Sequence, residues 1–263
     1  MGEVVRDSTP AAPAETARSD AAHADKLHAG TGLGSRILYR VCRAILIWTT
    51  RLYTRMTIEG REHIPKTGAF VLAPVHRSYV DTGIAGALTT RRLRYMGKDT
   101  MWKNRQFGWL FSALGSFPVT RGTADREALN RCIEVLEAGD ALVLFPEGER
   151  KSGPVVQPLF DGAVYCAIKA GVPIVPVGIG GSEWVMPKKA KFIYPKKVHV
   201  VVGPPMPPPV APEGGRLPRK AYKEHSEALR NELQRLFDEA LSRTPHSYET
   251  NPPLGVAPSA AAE

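Results

Sequence analysis

Apolar and polar positions change their rhythm several times along this chain. Residues 1–33 hold Ala, Asp, Glu, Thr and Ser without an apolar run, too little to offset ordering entropy, so a disordered tail is expected. From residue 35 to 56 the spacing becomes helical. Arg36, Arg40, Arg43, Arg51 and Arg55 fall within an arc of about 120°, and Leu38, Val41, Cys42, Ile45, Leu46, Trp48, Leu52, Tyr53 and Met56 occupy the rest. The longest unbroken apolar run is Ala44 to Trp48, far short of the roughly 20 residues needed to span a bilayer. The pattern predicts a basic amphipathic helix over 34–57. It either lies in a membrane interface, as its Trp and Tyr suggest, or packs on its own domain with the arginines in water. The absence of acidic partners one turn away favours the interface.

Between Ile58 and Val202 short apolar runs alternate with helical patterns. Strands are expected at 69–75, 93–97, 117–119, 141–145, 173–179 and 198–202, and helices at 80–89, 105–114, 124–138 and 160–170. Gly139 and Gly171 follow the last two helices, where a C-cap glycine belongs. The alternation predicts an α/β fold, a single layered domain over 58–243. A proline-rich connector at 203–214 leads to a last amphipathic helix at about 219–242, and residues 244–263 are expected to be a second disordered tail.

Composition narrows the choice of partners. Thirty-five Lys and Arg against 26 Asp and Glu give a formal net charge of +9, which favours anionic ligands or surfaces. No basic run interleaves with aromatics, so nucleic acid is not expected. Cys42, Cys132 and Cys166 are too widely spaced for a zinc site or a disulfide framework, and a reducing compartment fits them. No signal-peptide core precedes the domain.

Chemistry concentrates at strand ends. His76 and Asp81 follow the apolar run Ala69 to Val75. On one continuous helix the two side chains would stand about 140° apart. They meet only if His76 lies in the loop and Asp81 in the first helical turn, which would make a general-base pair. Ser78-x-x-Asp81 fits a helix capping box equally well. Three further segments interrupt the core. Gly115 to Gly122 ends in Arg121, suited to a phosphate or to a plain surface turn. Ala141 to Arg150 runs from a strand into Glu147, Gly148, Glu149 and Arg150. Val172 to Val177 carries two prolines, which places that strand at an edge or a bulge. Lys188, Lys189, Lys191, Lys196 and Lys197 surround Phe192 and Tyr194 in what reads as a solvated loop or a second contact with anionic headgroups.

In this order and near this spacing, the four segments resemble the glycerolipid acyltransferase family, whose best-known members are the 1-acyl-glycerol-3-phosphate acyltransferases. The likeness covers roughly residues 60–205: His76 with Asp81, then Gly115 with Phe117-Pro118-Val119 and Arg121, then Phe145-Pro146-Glu147-Gly148 with Arg150, then Val172 to Val177. It implies an O-acyltransferase in which His76 is the base and Asp81 orients it. Lys98, Arg121, Glu147, Gly148 and Arg150 would hold the acceptor. No metal or cofactor is implied, and acyl-CoA or acyl carrier protein would donate the acyl group. The implied reaction makes phosphatidate from lysophosphatidate at the cytoplasmic face of the cell membrane, with anionic membrane lipids as partners. Glu149 and Asp161 stand where the family has neutral or basic residues, which opens the acceptor to another lysolipid, glycerol phosphate or a lipid-linked amine. A non-enzymatic basic module binding membranes or nucleic acid would leave His76, Asp81 and Glu147 unexplained.

Overall fold

The computed structural model describes residues 33–119, 126–188, 190–210 and 216–255. Among these, seven strands form one sheet in the order β1-β7-β6-β2-β5-β3-β4. They are β1 (Thr57–Glu59), β2 (Phe70–Pro74), β3 (Leu93–Lys98), β4 (Ser116–Val119), β5 (Ala141–Val143), β6 (Ile174–Gly180) and β7 (His199–Val202). All neighbours are parallel except β6 and β7. The helices are α1 (Leu33–Thr54), α2 (Asp81–Ala87), α3 (Arg105–Ala113), α4 (Arg126–Glu137), α5 (Gly162–Ala170), α6 (Ser182–Val185) and α7 (Arg219–Ser242). The α/β expectation holds as a single mixed sheet layered with helices.

β2 and β6 lie side by side at the centre and every residue of both is buried, which is why their sequences are apolar without alternation. The edge alternative for β6 is thereby corrected, and the bulge is what remains. Pro176 faces a stretch where three residues, Gly203 to Pro205, lie opposite two, Val175 and Pro176. Its missing N–H falls where the ladder is already interrupted, so the proline costs no bond. α7 covers this strand. Gly178 and Gly180 allow the approach, because a Cβ at either would meet the α7 backbone at 2.2 and 2.4 Å. Burying Leu229, Leu233 and Phe237 against β6 contributes roughly 2 kcal/mol each.

Two expectations at the ends of the chain need revision. α1 packs inward through Tyr39 and Arg43, the latter donating to the carbonyls of Gly86 and Thr89. It turns outward not only arginines but an apolar stripe of Ile37, Val41, Ile45, Trp48 and Leu52, with Trp48 75% and Leu52 79% exposed. At the other end, residues 244–255 are ordered and not a tail. Tyr248 is buried and donates to Glu183 Oε2 at 2.6 Å, while Trp184 Nε1 donates to Asn251 O at 2.6 Å. The Pro- and Ala-rich composition beyond residue 251 hid these two anchors. No helix among the described residues is long and apolar enough to cross a membrane.

Candidate active site

The site forms where β2 and β5 deliver their carboxyl ends side by side, the position at which open α/β sheets gather functional groups. β2 ends at Pro74. A short loop carries His76, Arg77 and Ser78, and α2 begins at Asp81. His76 therefore lies before the helix and Asp81 in its first turn, the one arrangement in which the two can meet. His76 Nδ1 lies 3.1 Å from Asp81 Oδ2. A carboxylate only accepts, so Nδ1 carries the proton and Nε2 presents its lone pair. Asp81 Oδ2 also accepts the backbone N–H groups of Arg77 and Ser78, each at 2.6 Å. One oxygen thus orients the imidazole and holds the loop before α2, while Ser78 Oγ donates to Met186 O at 2.9 Å and the expected capping box does not form. The imidazole is 15% exposed and stacks on Phe145 at 3.9 Å. Among the described residues, no serine, threonine or cysteine hydrogen-bonds to the ring.

Glu147 does not stand where the sequence suggests. It is fully buried behind His76 and pairs with Arg77, whose Nη1 donates to its two oxygens at 2.8 and 2.6 Å. The carboxylate further accepts from His76 N at 3.0 Å and Gln157 N at 3.3 Å. Arg77 spends its remaining donors on the carbonyls of Gly153 and Val155 and lies over the ring of Phe237. With its acceptor capacity used in this way, Glu147 turns no free oxygen to the cavity; it fixes the backbone of His76. The physical reason is topological: β5 ends beside β2, and the acid turns back under the neighbouring loop. Lys151 N adds another strut by donating to His76 O at 2.9 Å.

His76 opens onto a cavity of about 1060 Å³ that runs between α1, α2, the sheet and α4. Leu46, Phe111, Leu114, Leu129 and Val143 give it apolar walls. Its polar lining includes His76 and Arg150 with the exposed Tyr79, Glu149 and Lys188 at its mouth, and also Arg43, Thr82, Tyr95 and Ser116. Arg150 lies flat on Tyr79, with Cζ 3.3 Å from the ring centroid, a stacking that pre-orients the guanidinium. Gly148 lines the cavity with φ +69°, and a Cβ there would strike Phe160 at 2.6 Å, so the turn accepts only glycine. Glu149 is neutralised locally. The hydrogen bond from Lys151, then the charges of Lys151 and Lys188, hold its carboxyl below the usual range. Asp161 turns away from the cavity and accepts from Ser226 Oγ at 2.8 Å. Both acids that seemed to disfavour a phosphate are thereby compensated or absent from the site. Arg121 and the side chain of Lys98 lie outside the described residues.

Sequence reasoning missed Arg77, Tyr79 and Lys188 as parts of the site. The first two sit inside the His76–Asp81 segment and were passed over as its spacers. Lys188 comes from the loop after α6, more than a hundred residues from that segment, and only the fold brings it to the same cavity.

A cavity with apolar walls, a carboxylate-oriented imidazole and cationic side chains on its lining suit group transfer to a hydroxyl. Residues 55–180 match the acyltransferase family, a match that supports an O-acyltransferase. More particularly, the chain is similar to proteins named 1-acyl-sn-glycerol-3-phosphate acyltransferase. One from Bacillus subtilis is 28% identical over 171 residues, covering 64% of this chain and 82% of that one. A chloroplastic one from Brassica napus is 28% identical over 144 residues, 54% of this chain and 42% of that one. The chain thus spans most of the bacterial relative and less than half of the plant one. The crystal structure of the enzyme of that class from Thermotoga maritima shares the fold, with a TM-score of 0.64 at 23% identity, over 79% of this chain and 83% of that one.

Proposed function

We propose that the protein transfers a fatty acyl group from acyl-CoA or acyl carrier protein to the sn-2 hydroxyl of 1-acyl-glycerol-3-phosphate, giving phosphatidate. The observation that carries this reading is one cavity lined both by His76 and Arg150 and by apolar side chains. His76 Nε2 takes the hydroxyl proton as the oxygen attacks the thioester carbonyl carbon. The C–S bond then breaks, and the departing sulfur takes the proton from the imidazolium. Asp81 stabilises that cation, and general-base help of this kind is worth about 10²–10⁴-fold. Arg150 and Lys188 meet the acceptor phosphate, with Arg121 and Lys98 as further contacts in the family pattern. Acyl chains occupy the apolar interior.

The reaction takes place at a membrane surface, with the enzyme attached peripherally on the cytoplasmic face. The exposed stripe Ile37, Val41, Ile45, Trp48 and Leu52 on a helix flanked by arginines supports that placement. An acceptor panel with lipid product identification tests the reading. Acceptor-dependent thiol release should be greatest with 1-acyl-glycerol-3-phosphate and should yield phosphatidate. Equal or greater turnover with a neutral lysolipid or a lipid-linked amine would overturn the acceptor assignment.

A further inference from the structure

The lysine-rich loop that follows α6 is not explained by the chemistry of the site. Lys188 lines the cavity mouth, and the chain then runs outward through Lys191, Phe192 and Ile193 before returning at Lys196 and Lys197 to β7. Phe192 is 71% and Ile193 51% exposed, so two large apolar side chains stand in solvent at the tip, flanked by cations. The loop is nonetheless held. Tyr194 N donates to Val185 O at 2.7 Å, Lys196 N to Tyr194 O at 2.8 Å and Val198 N to Thr54 O at 3.1 Å. Tyr53 Oη donates to Ile193 O at 2.9 Å, which fixes the tip against the C-terminal turn of α1, where Leu52 is exposed.

We infer that residues 191–197 form a second bilayer contact, which together with the outward stripe of α1 sets the cavity mouth against the surface of an anionic membrane. The inference rests on the membrane placement proposed above and deepens it. Two observations select a lipid bilayer as the occupant. Apolar side chains at the tip enclosed by lysines match the apolar-to-charged gradient of a lipid interface, and the net charge of +9 complements anionic headgroups. The loop and α1 also join through the Tyr53–Ile193 bond, so two surfaces with the same chemistry form one platform. A docking site for an acidic protein would be served by the lysines alone and leaves the exposed Phe192 and Ile193 without a role.

Vesicle flotation of the full chain tests this, using phosphatidylcholine vesicles with and without added phosphatidylglycerol. Phe192→Asp/Ile193→Asp should weaken binding to both kinds by at least about 10-fold. Lys191→Ala/Lys196→Ala/Lys197→Ala should weaken binding only to the anionic vesicles, on the order of 100-fold at low salt. Both variants should keep the wild-type melting temperature and wild-type turnover of a short-chain lysophosphatidate dispersed below its micelle concentration. Turnover of a vesicle-embedded long-chain acceptor should fall with binding. Wild-type vesicle binding by both variants overturns the inference. So does an unchanged vesicle affinity with a raised KM for acyl carrier protein thioester, which would make the loop a carrier-protein dock. An equal loss of turnover on the dispersed acceptor would place the loop in the site itself and overturn it too. If the wild-type protein turned over no acceptor, the transferase reading would fail while the flotation result still decided the loop.

Discussion

Glu147→Gln separates a scaffold carboxylate from a substrate-binding one. The substitution keeps the side-chain volume and one acceptor oxygen but leaves the guanidinium of Arg77 buried without its counter-charge. Arg77 Nη1 exchanges two ionic bonds of 2.6 and 2.8 Å for at most one bond to a neutral amide oxygen, beside the His76 carbonyl. Removing one member of a buried pair costs about 3–5 kcal/mol, a large share of the roughly 5–15 kcal/mol that typically separates folded from unfolded domains. At about 2–4 °C per kcal/mol for a domain of this size, the melting temperature should fall by roughly 10 °C. The loosened His76 backbone should lower kcat by roughly 10²-fold, because small displacements of a base are costly. The KM for the acceptor should stay within about twofold, since Glu147 touches no part of the cavity. Differential scanning fluorimetry and acceptor-dependent thiol release read the two quantities. An unchanged melting temperature with a raised acceptor KM would refute the scaffold assignment.

Five other substitutions or conditions give outcomes of their own. Asp81→Asn should lower kcat by about 10²–10⁴-fold, because the amide no longer stabilises the imidazolium, with steady-state kinetics as the measure. Arg150→Ala should raise the acceptor KM more than the donor KM; the reverse ratio in a bisubstrate titration would place this arginine beside the thioester. Trp48→Glu/Leu52→Glu alters only exposed positions of α1 and should shift the protein from the membrane pellet to the supernatant in cell fractionation. Burial lowers the pKa of His199, His225 and His246 in the folded chain. Their contribution to stability is whole above the unfolded value of about 6.5 and is lost as pH falls through the folded values, so urea midpoints should be flat above pH 7 and decline in mild acid. Burial pushes the Glu183 carboxyl up, which opposes this loss, and Glu183→Gln should therefore steepen it.

The sheet and its helices were legible because each strand is an apolar run closed by turn residues and each helix has a 3.6-residue stripe. The bend between β2 and α2 was legible as a condition, since His76 and Asp81 could meet in no other way, and the family resemblance gave the reason for them to meet. Elements without periodicity were lost: the three residues of β1, the four of α6 and the Tyr248 anchor depend on long-range partners. Pro176 shows why a local rule was ambiguous. A missing donor excludes an ordinary place in a ladder, and only the Gly203–Pro205 bulge reveals that the strand is central. The family resemblance places Glu147 with the acceptor beside Gly148 and Arg150, and only those two line the cavity. The partner of Glu147, Arg77, lies 70 positions earlier in the chain, and no feature of either residue's local sequence announces the pair.

The account depends most on His76 acting as base toward a substrate hydroxyl. Thiol release from acyl-CoA and from acyl carrier protein thioester, with and without 1-acyl-glycerol-3-phosphate, tests it in wild type and His76→Ala. Wild type should release thiol in proportion to phosphatidate formed with at least one donor, and only when the acceptor is present. His76→Ala should reduce that rate by about 10²–10⁴-fold while melting at the wild-type temperature. Undiminished turnover in His76→Ala, or no acceptor-dependent release from wild type with either donor, would contradict it.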